Sequence, residues 1–582
     1  SATFDPAAGI LAARRTTPAQ GRFRFTGDFY RDIVLARTSL LADDAFGSLE
    51  STRRALQQFA AVQQAYDDIG ADLLLADDLP GALQSARLLE AQALEASGDC
   101  QAAAPLFEAY TSWSESARSS ISIEERIHFF RGTALPAYQG LIRCRASNAL
   151  RLPGDETMNA LLASIDQLKG RQFVELLNRK ETDSPVNIQD VNSSISPGLG
   201  VLIFQDLGTS LLTILFSEQA PRLLLRNKPT DWDRRLFELR DQLASQAELD
   251  VQALQTISNE LLGFAATQIA TLDELYVLTD GALASVPPAV LSLPSGQMSG
   301  EILAITLLPS LSALRNQVHE ANERQQRLLG LADPHYAGDD GKVTRVSERM
   351  ISLRGASLLS YFEPLPETRH EVTKIAGYFG ADTSLLLGRD AAESTLKALN
   401  LKAYSHIHFA THGLIGNELP GLAEPALVLS AETDEDGLLT ASEVAQLDLD
   451  ADLTILSACN TGNGDYFSGE GLLGMGRAFM VAGSRNVIVS LWPVDSLSTK
   501  YMMERLYEHM ASGLSVSRSL FQAQRDLRQA VNIDATETTV RGIQVDQVAM
   551  PRQPESKVTG PFADPFYWSP FVLISVRQSD LR

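Results

Sequence analysis

The sequence predicts an α/β protein, a mainly parallel sheet flanked by helices, set behind an all-α region. Three observations carry that expectation. From about Asp28 to Lys180 the pattern is helical almost throughout, rich in Ala, Leu, Gln and Glu. From Leu328 onward strand-like and helix-like segments alternate, as parallel strands with crossover helices require. Within that second region two segments share one design. Tyr404-Ser-His-Ile-His-Phe-Ala-Thr-His-Gly413 runs out into His412-Gly413, and Leu453-Thr-Ile-Leu-Ser-Ala-Cys-Asn-Thr-Gly462 runs out into Cys459 and an Asn-Thr-Gly turn. Apolar strands of this kind suit a sheet buried on both faces. Open α/β sheets place their ligands at the carboxyl ends of such strands.

Taken in order, residues 1–26 carry Arg14, Arg15, Arg22 and Arg24 among Ala, Thr, Pro and Gly, with no sustained period, and read as a flexible lead-in. Residues 27–185 form the helical region. Within it, Leu88 to Tyr110 resembles one tetratricopeptide repeat unit. Ala91 packs in a first helix, Gly98-Asp99 turns, and Ala103 with Phe107 makes a small/large contact in the second. A generic helical array fits equally well. Ser184-Pro185 and Ser194-Ile-Ser-Pro-Gly-Leu-Gly200 break the pattern and mark a boundary.

Residues 195–325 open with short apolar runs at hairpin spacing, Val201–Phe204, Leu211–Phe216 and Leu223–Leu225. A helical stretch from Asp231 to about Phe264 follows, then a strand at Glu274–Leu278 and the turn Asp280-Gly281. Residues 326–582 hold the alternating pattern. A helix over Leu472–Val481 stops at Gly483, another stops at Gly513, and the last strand is Phe571–Val576.

At 582 residues and 63.2 kDa the chain exceeds one core. No apolar run reaches the roughly 18 residues that a spanning helix needs. The formal charge of −23 disfavours bulk attraction to nucleic acid or anionic lipid, so neither nucleic acid nor membrane is an expected partner. The cysteines, Cys100, Cys144 and Cys459, are odd in number and scattered. That predicts neither a disulfide framework nor a zinc spacing, and favours a reducing, cytoplasmic setting. Ser1-Ala-Thr opens without a methionine, which is expected of a trimmed or processed chain and leaves a removed signal peptide or an exported precursor open.

A lone cysteine after a strand is usually structural. Here it enters a polar, Gly-containing turn, and a His-Gly ends another strand 47 residues earlier. An imidazole held near a thiol is the minimum apparatus of thiol nucleophilic catalysis. His408-Phe-Ala-Thr-His-Gly413 and Leu456-Ser-Ala-Cys-Asn-Thr-Gly462 closely resemble the CHAT domain, the caspase-like cysteine peptidase module often joined to tetratricopeptide repeats. The resemblance extends through Gly469–Gly474, Ala482-Gly483, Val489–Asp495 and Asp564–Phe571, and more weakly back through Leu331–Pro334, Leu308–Leu311 and Thr279–Ala282.

It implies a caspase-like fold in which Cys459 is the nucleophile and His412 the base, oriented by a backbone carbonyl. It also implies an oxyanion hole from the N–H groups of Gly413 and Cys459. Residues 195–325 are then expected to form an inactive sheet half beside the catalytic 326–582.

Asp495, after Trp492-Pro-Val, is the expected acidic partner for a basic residue before the scissile bond, with Trp492 walling the pocket and Asp465 and Glu470 as substitutes. Separases, which look related in this segment, cut after arginine and use an acidic residue nearby. The plainer reading is that Asp495 caps the helix starting near Leu497.

Other signals carry less. His406 and His408 alternate on one strand without an acidic or thiol partner, so structural roles are expected and no metal. Gly469-x-Gly-x-x-Gly474 matches a dinucleotide fingerprint only formally, since no strand leads directly into it. Asp434-Glu-Asp-Gly437 reads as a solvated turn before a calcium loop. No cofactor is expected. The reading is a cysteine endopeptidase acting on a protein substrate, cutting after a basic residue, with the helical domain recruiting substrate or a regulatory protein. The alternative is a catalytically silent caspase-like scaffold.

Overall fold

The computed structural model describes residues 22–67, 79–118, 130–177, 186–315, 325–336, 362–416, 418, 422, 424–431, 435–458, 474–530, 540–541 and 560–576. They fall into two compact units. One comprises the chain to Leu168 with the stretches Leu207–Leu212 and Leu225–Asn227, and the other the remainder.

The first unit is built from α1 (Arg22–Leu41), α2 (Ala45–Asp67), α3 (Leu79–Ala96), α4 (Cys100–Arg118), α5 (Leu135–Arg151) and the start of α6 (Asp155–Leu177). The helix–turn–helix expected at Leu88–Tyr110 is α3–α4. Asp99 caps α4 by accepting the Ala102 N–H at 3.1 Å. Ala91, Ala103 and Phe107 are fully buried in one cluster with Leu141 and Cys144 of α5. Gly140 permits that packing, because a Cβ there would collide with the Phe107 ring.

The expectation of three unpaired thiols does not hold. Cys100 and Cys144 are joined by a disulfide, with their Cα atoms 5.0 Å apart. The helical packing of α4 on α5 brings together two cysteines 44 residues apart, which linear spacing cannot show. The argument from cysteine count for a reducing compartment falls with it.

The second unit is organised on one sheet. Its strands are β1 (Leu199–Asp206), β2 (Ser210–Phe216), β3 (Arg222–Asn227), β4 (Glu274–Leu278), β5 (Ala304–Leu307), β6 (Leu328–Pro334), β7 (Thr383–Gly388), β8 (His406–Ala410), β12 (Leu453–Leu456), β13 (Asn486–Ser490) and β16 (Phe571–Ser575). They lie in the order β3-β2-β1-β4-β5-β16-β13-β12-β8-β6-β7. Pairings are parallel from β1 through β4 and β5 to β16, and again from β13 through β12, β8 and β6 to β7. Between β16 and β13 the pairing is antiparallel. The sheet therefore holds two parallel groups, β1-β4-β5-β16 and β13-β12-β8-β6-β7, which run in opposite directions with their carboxyl edges facing opposite ways.

A smaller sheet of β9 (His412–Leu414), β10 (Ala426–Val428) and β11 (Leu438–Thr440) branches off after β8, and β14 (Val494–Asp495) pairs antiparallel with β15 (Val540–Arg541). The helices used below are α10 (Pro366–Ala376), α11 (Glu393–Ala398), α13 (Gly474–Ala482), α14 (Ser496–Ala511) and α15 (Val516–Gln529). Between Ile188 and Leu262 the chain also forms α7 (Ile188–Ser194), α8 (Trp232–Ser245) and α9 (Val251–Leu262), and α12 (Ala441–Val444) follows β11. As the sequence predicts, α13 stops at Gly483, whose φ is +123° and whose α-carbon lies so close to the Leu449 carbonyl that a side chain has no room.

At the carboxyl edge of the first half, charges neutralise one another. Lys169 reaches Asp280 at 2.6 Å and the Thr279 carbonyl at 3.1 Å, both ends of the ion pair being buried. Asp280 also accepts the Asp206 N–H at 3.0 Å, and Lys228 binds Asp206 at 2.6 Å and Asp233 at 2.8 Å. No described residue at this edge is a thiol. The second half ends differently.

Candidate active site

The site is set by strand register. In the β8–β12 ladder Leu453 stands opposite His406, Thr454 opposite Ile407, Ile455 opposite His408 and Leu456 opposite Phe409, a constant offset of 47. Ser457 continues it by donating its N–H to the Phe409 carbonyl at 2.8 Å. The same offset separates His412 from Cys459. Cys459, Asp465, Glu470 and the glycines at 469–473 lie outside the described residues.

After Ala410 the chain leaves the main sheet. Thr411 makes the transition: its hydroxyl donates to the Val428 carbonyl and meets the Tyr336 hydroxyl at 3.2 Å. β9 then pairs antiparallel with β10, His412 opposite Val428 and Gly413 opposite Leu427. His412 is fully buried. Its Nε2 donates to the Glu363 carbonyl oxygen at 2.8 Å. A carbonyl can only accept, so this bond places the hydrogen on Nε2 and makes Nδ1 the unprotonated ring nitrogen. The ring packs in a triangle with Tyr336, 5.5 Å away centre to centre, and Phe362, 5.3 Å away, which are themselves 5.8 Å apart. Phe362 and Leu365 are buried on either side of Glu363, which anchors the carbonyl that holds the imidazole.

On the other side of β12, β13 runs parallel. The fully buried Ser490 hydroxyl donates to the Ala458 carbonyl, one residue before Cys459. Beyond β13, Trp492 is buried and its indole N–H donates to the Phe566 carbonyl at 3.1 Å, so the ring is packed into the core and not set on an open wall. Asp495 is 2% exposed and accepts the Ser498 N–H at 2.8 Å, the capping geometry of α14. A carboxylate so placed is no rim group.

The two strand histidines are structural in different ways. Burial pushes the His406 ring down to about 4, so it is neutral, with Nδ1 3.0 Å from the Ser405 hydroxyl. His408 has the acidic partner that the sequence did not reveal: Nε2 is 2.8 Å from Glu371 of α10, both fully buried, and Nδ1 is 3.3 Å from the Tyr507 hydroxyl. In the acidic turn, Glu435 joins Glu393 and Glu443 around the Lys397 ammonium at 3.1, 2.6 and 3.0 Å. These three carboxylates are the described group with metal-like spacing, and the lysine nitrogen already occupies the cationic position among them. Sequence reasoning missed Tyr336, Phe362, Glu363, Glu371 and Ser490. Glu363 acts through its backbone, and no motif marks a carbonyl.

The chain of β8 runs on into His412, whose imidazole a main-chain carbonyl holds, and the neighbouring β12 leads toward Cys459. The CHAT domain family matches residues 245–575, more than half of the chain, and the chain belongs to that family. Over 88 residues it is 36% identical to mouse (Mus musculus) tetratricopeptide repeat protein 28 and 34% identical to the human (Homo sapiens) protein of that name. The match covers 15% of this chain and 4% of each relative.

Among solved structures, the chain is similar to one in the Saccharomyces cerevisiae separase–securin complex, at 9% identity and TM-score 0.44, covering 97% of this chain and 51% of that one. It is also similar to the Arg-specific cysteine proteinase gingipain R, at 11% identity and TM-score 0.29, covering 60% and 74%. Among the described residues no helix is long and apolar enough to cross a membrane.

Proposed function

We propose that the protein is a cysteine endopeptidase that cuts a protein substrate with a His412–Cys459 dyad. The observation that carries this reading is the unbroken offset of 47 along β8 and β12, which is also the separation of the two residues. Nδ1 of His412 takes the thiol proton, the thiolate attacks the substrate carbonyl, and the imidazolium returns the proton to the leaving amine. The N–H groups of Gly413 and Cys459 receive the oxyanion. No metal or cofactor enters this chemistry.

The proposed preference is for Arg or Lys before the scissile bond. Asp495 is the candidate acidic partner of that residue, and Asp465 and Glu470 are substitute counter-charges. Residues 27–185 recruit the substrate or a regulatory protein, and 195–325, whose strand ends carry Asp206 and Asp280, are the inactive half.

The test is a fluorogenic peptide library with every residue type before the scissile bond. Cleavage after Arg or Lys that is lost in Cys459→Ala and His412→Ala supports the reading. A protein that cuts no member, with a Cys459 no more reactive than an unfolded thiol, is the silent scaffold instead.

A further inference from the structure

The main chain passes from the large sheet to the small one across a single residue. Ala410 closes the register of β8 with β6, opposite Ala332, and His412 opens the register of β9 with β10, opposite Val428. Thr411 stands between the two ladders and is fully buried. A hydroxyl carries one hydrogen, and Thr411 gives its own to the Val428 carbonyl, which can only accept. Where the Tyr336 and Thr411 hydroxyls meet at 3.2 Å, the phenol is therefore the donor. The result is a directed chain through buried residues, from the Tyr336 O–H to the Thr411 O–H to the Val428 C=O.

This chain brackets the backbone of His412. Val428 faces His412 across the β9–β10 pair, so the bond joins the residue before the histidine to the residue opposite it. Threonine is branched at Cβ and stiff about its first side-chain torsion, so holding the hydroxyl also holds the Thr411 backbone. The ring end of His412 is held separately, by the Glu363 carbonyl. The Thr411 bond governs the other end, the backbone from which the imidazole springs. Tyr336 supports both ends: its ring packs against the imidazole and against Phe362, the neighbour of Glu363, and its hydroxyl backs Thr411.

We infer that Thr411 is a positioning residue for the catalytic base: its hydroxyl, backed by that of Tyr336, fixes where the His412 backbone lies and so how the imidazole is presented. This rests on the peptidase reading above. Valine at this position keeps the branched shape and lacks the hydroxyl. The junction between the sheets then gains freedom, and a misplacement of about 1 Å in a catalytic group costs up to about 10² in rate.

The test compares Thr411→Val, Thr411→Ser and Tyr336→Phe with wild type, each in the full chain, on the peptide of a fluorogenic library that wild type cuts fastest. Thermal unfolding and the pH dependence of Cys459 alkylation by iodoacetamide are followed in parallel. A role in stability alone would lower the melting temperature and leave the alkylation profile where it was. The expected result for Thr411→Val is a kcat lower by about 10–10² with KM within about threefold. Its alkylation midpoint should move toward the ordinary thiol value of about 8.5. Thr411→Ser should recover most of kcat, and Tyr336→Phe, which keeps the ring, should lose about threefold.

A Thr411→Val protein with the kcat and alkylation midpoint of wild type overturns the inference, whatever its melting temperature, and leaves the peptidase reading standing. So does a kcat that falls with the midpoint unmoved, or one that Thr411→Ser fails to restore, because the loss is then not that of a hydroxyl holding the base. If Thr411→Val does not fold, Tyr336→Phe decides by the same two readings. Wild type that cuts no library member and alkylates at Cys459 with an ordinary midpoint overturns the peptidase reading, and this inference with it.

Discussion

His412 and Glu363 meet through one hydrogen bond, Nε2 to carbonyl oxygen at 2.8 Å, and that bond fixes which ring nitrogen can act as base. The main chain orients the ring, and Tyr336 and Phe362 pack tilted against it. The orientation therefore depends on where residues 362–365 pack.

That dependence makes Phe362 a point of leverage. Phe362→Leu keeps an apolar side chain of nearly the same volume, so unfolding should shift by less than about 1.5 kcal/mol. The imidazole loses its flat neighbour and gains angular freedom. Peptide turnover should fall about tenfold, within the range of a small misplacement of a catalytic group. Kinetics with a matched melting curve check this, and unchanged kcat would show that the Glu363 carbonyl alone suffices.

The disulfide gives a thiol count. Without reductant, Ellman titration in denaturant should find one thiol, Cys459, and after full reduction three. Closing a loop of 44 residues constrains the unfolded chain by about 4 kcal/mol in the chain-entropy account. Reduction should therefore lower the unfolding midpoint of the helical unit.

The strand ends and the fold class were legible because they are local. His412-Gly413 announces itself by residue type, and β8, β12 and β13 by short apolar runs. The disulfide, the Glu371–His408 pair and the reversal of the sheet at β16 were not legible. Each joins residues far apart in sequence whose proximity depends on packing, and the last strand reads the same parallel or antiparallel. Asp495 was legible both ways, as pocket acid and as helix cap, and only its burial and its bond to Ser498 show the second.

Asp495→Ala should consequently show two effects of different origin. Loss of the cap on α14 should destabilise the protein by about 1 kcal/mol. If Asp495 is also the acidic partner of the residue before the scissile bond, the ratio of cleavage after Arg to cleavage after an apolar residue should fall at least tenfold. A destabilised variant with unchanged preference would assign the residue to capping alone.

The carboxylates around Lys397 predict a pH effect. Burial raises the Glu393 carboxyl to about 7 from an ordinary 4.5, Lys397 opposing the shift and Glu443 adding to it. A carboxyl with a raised folded value favours the folded state while protonated. That contribution is complete below the ordinary value and is lost as pH rises through about 7. Between pH 5 and pH 8 wild type should lose thermal stability relative to Glu393→Gln, which has no proton to lose there. Parallel melting curves across that range would contradict the assignment.

The central claim is that His412 activates Cys459, and the most direct measurement is the rate of Cys459 alkylation by iodoacetamide against pH, in wild type and His412→Ala. With Cys100 and Cys144 joined, the label reports on one thiol. Wild type should alkylate at a pH-independent rate from near neutrality upward, because a thiol beside an imidazole ionises well below its ordinary value of about 8.5. His412→Ala should move the midpoint up toward that value and slow the reaction at pH 7 by at least tenfold. Identical profiles in the two proteins, both with midpoints near 8.5, would contradict the account.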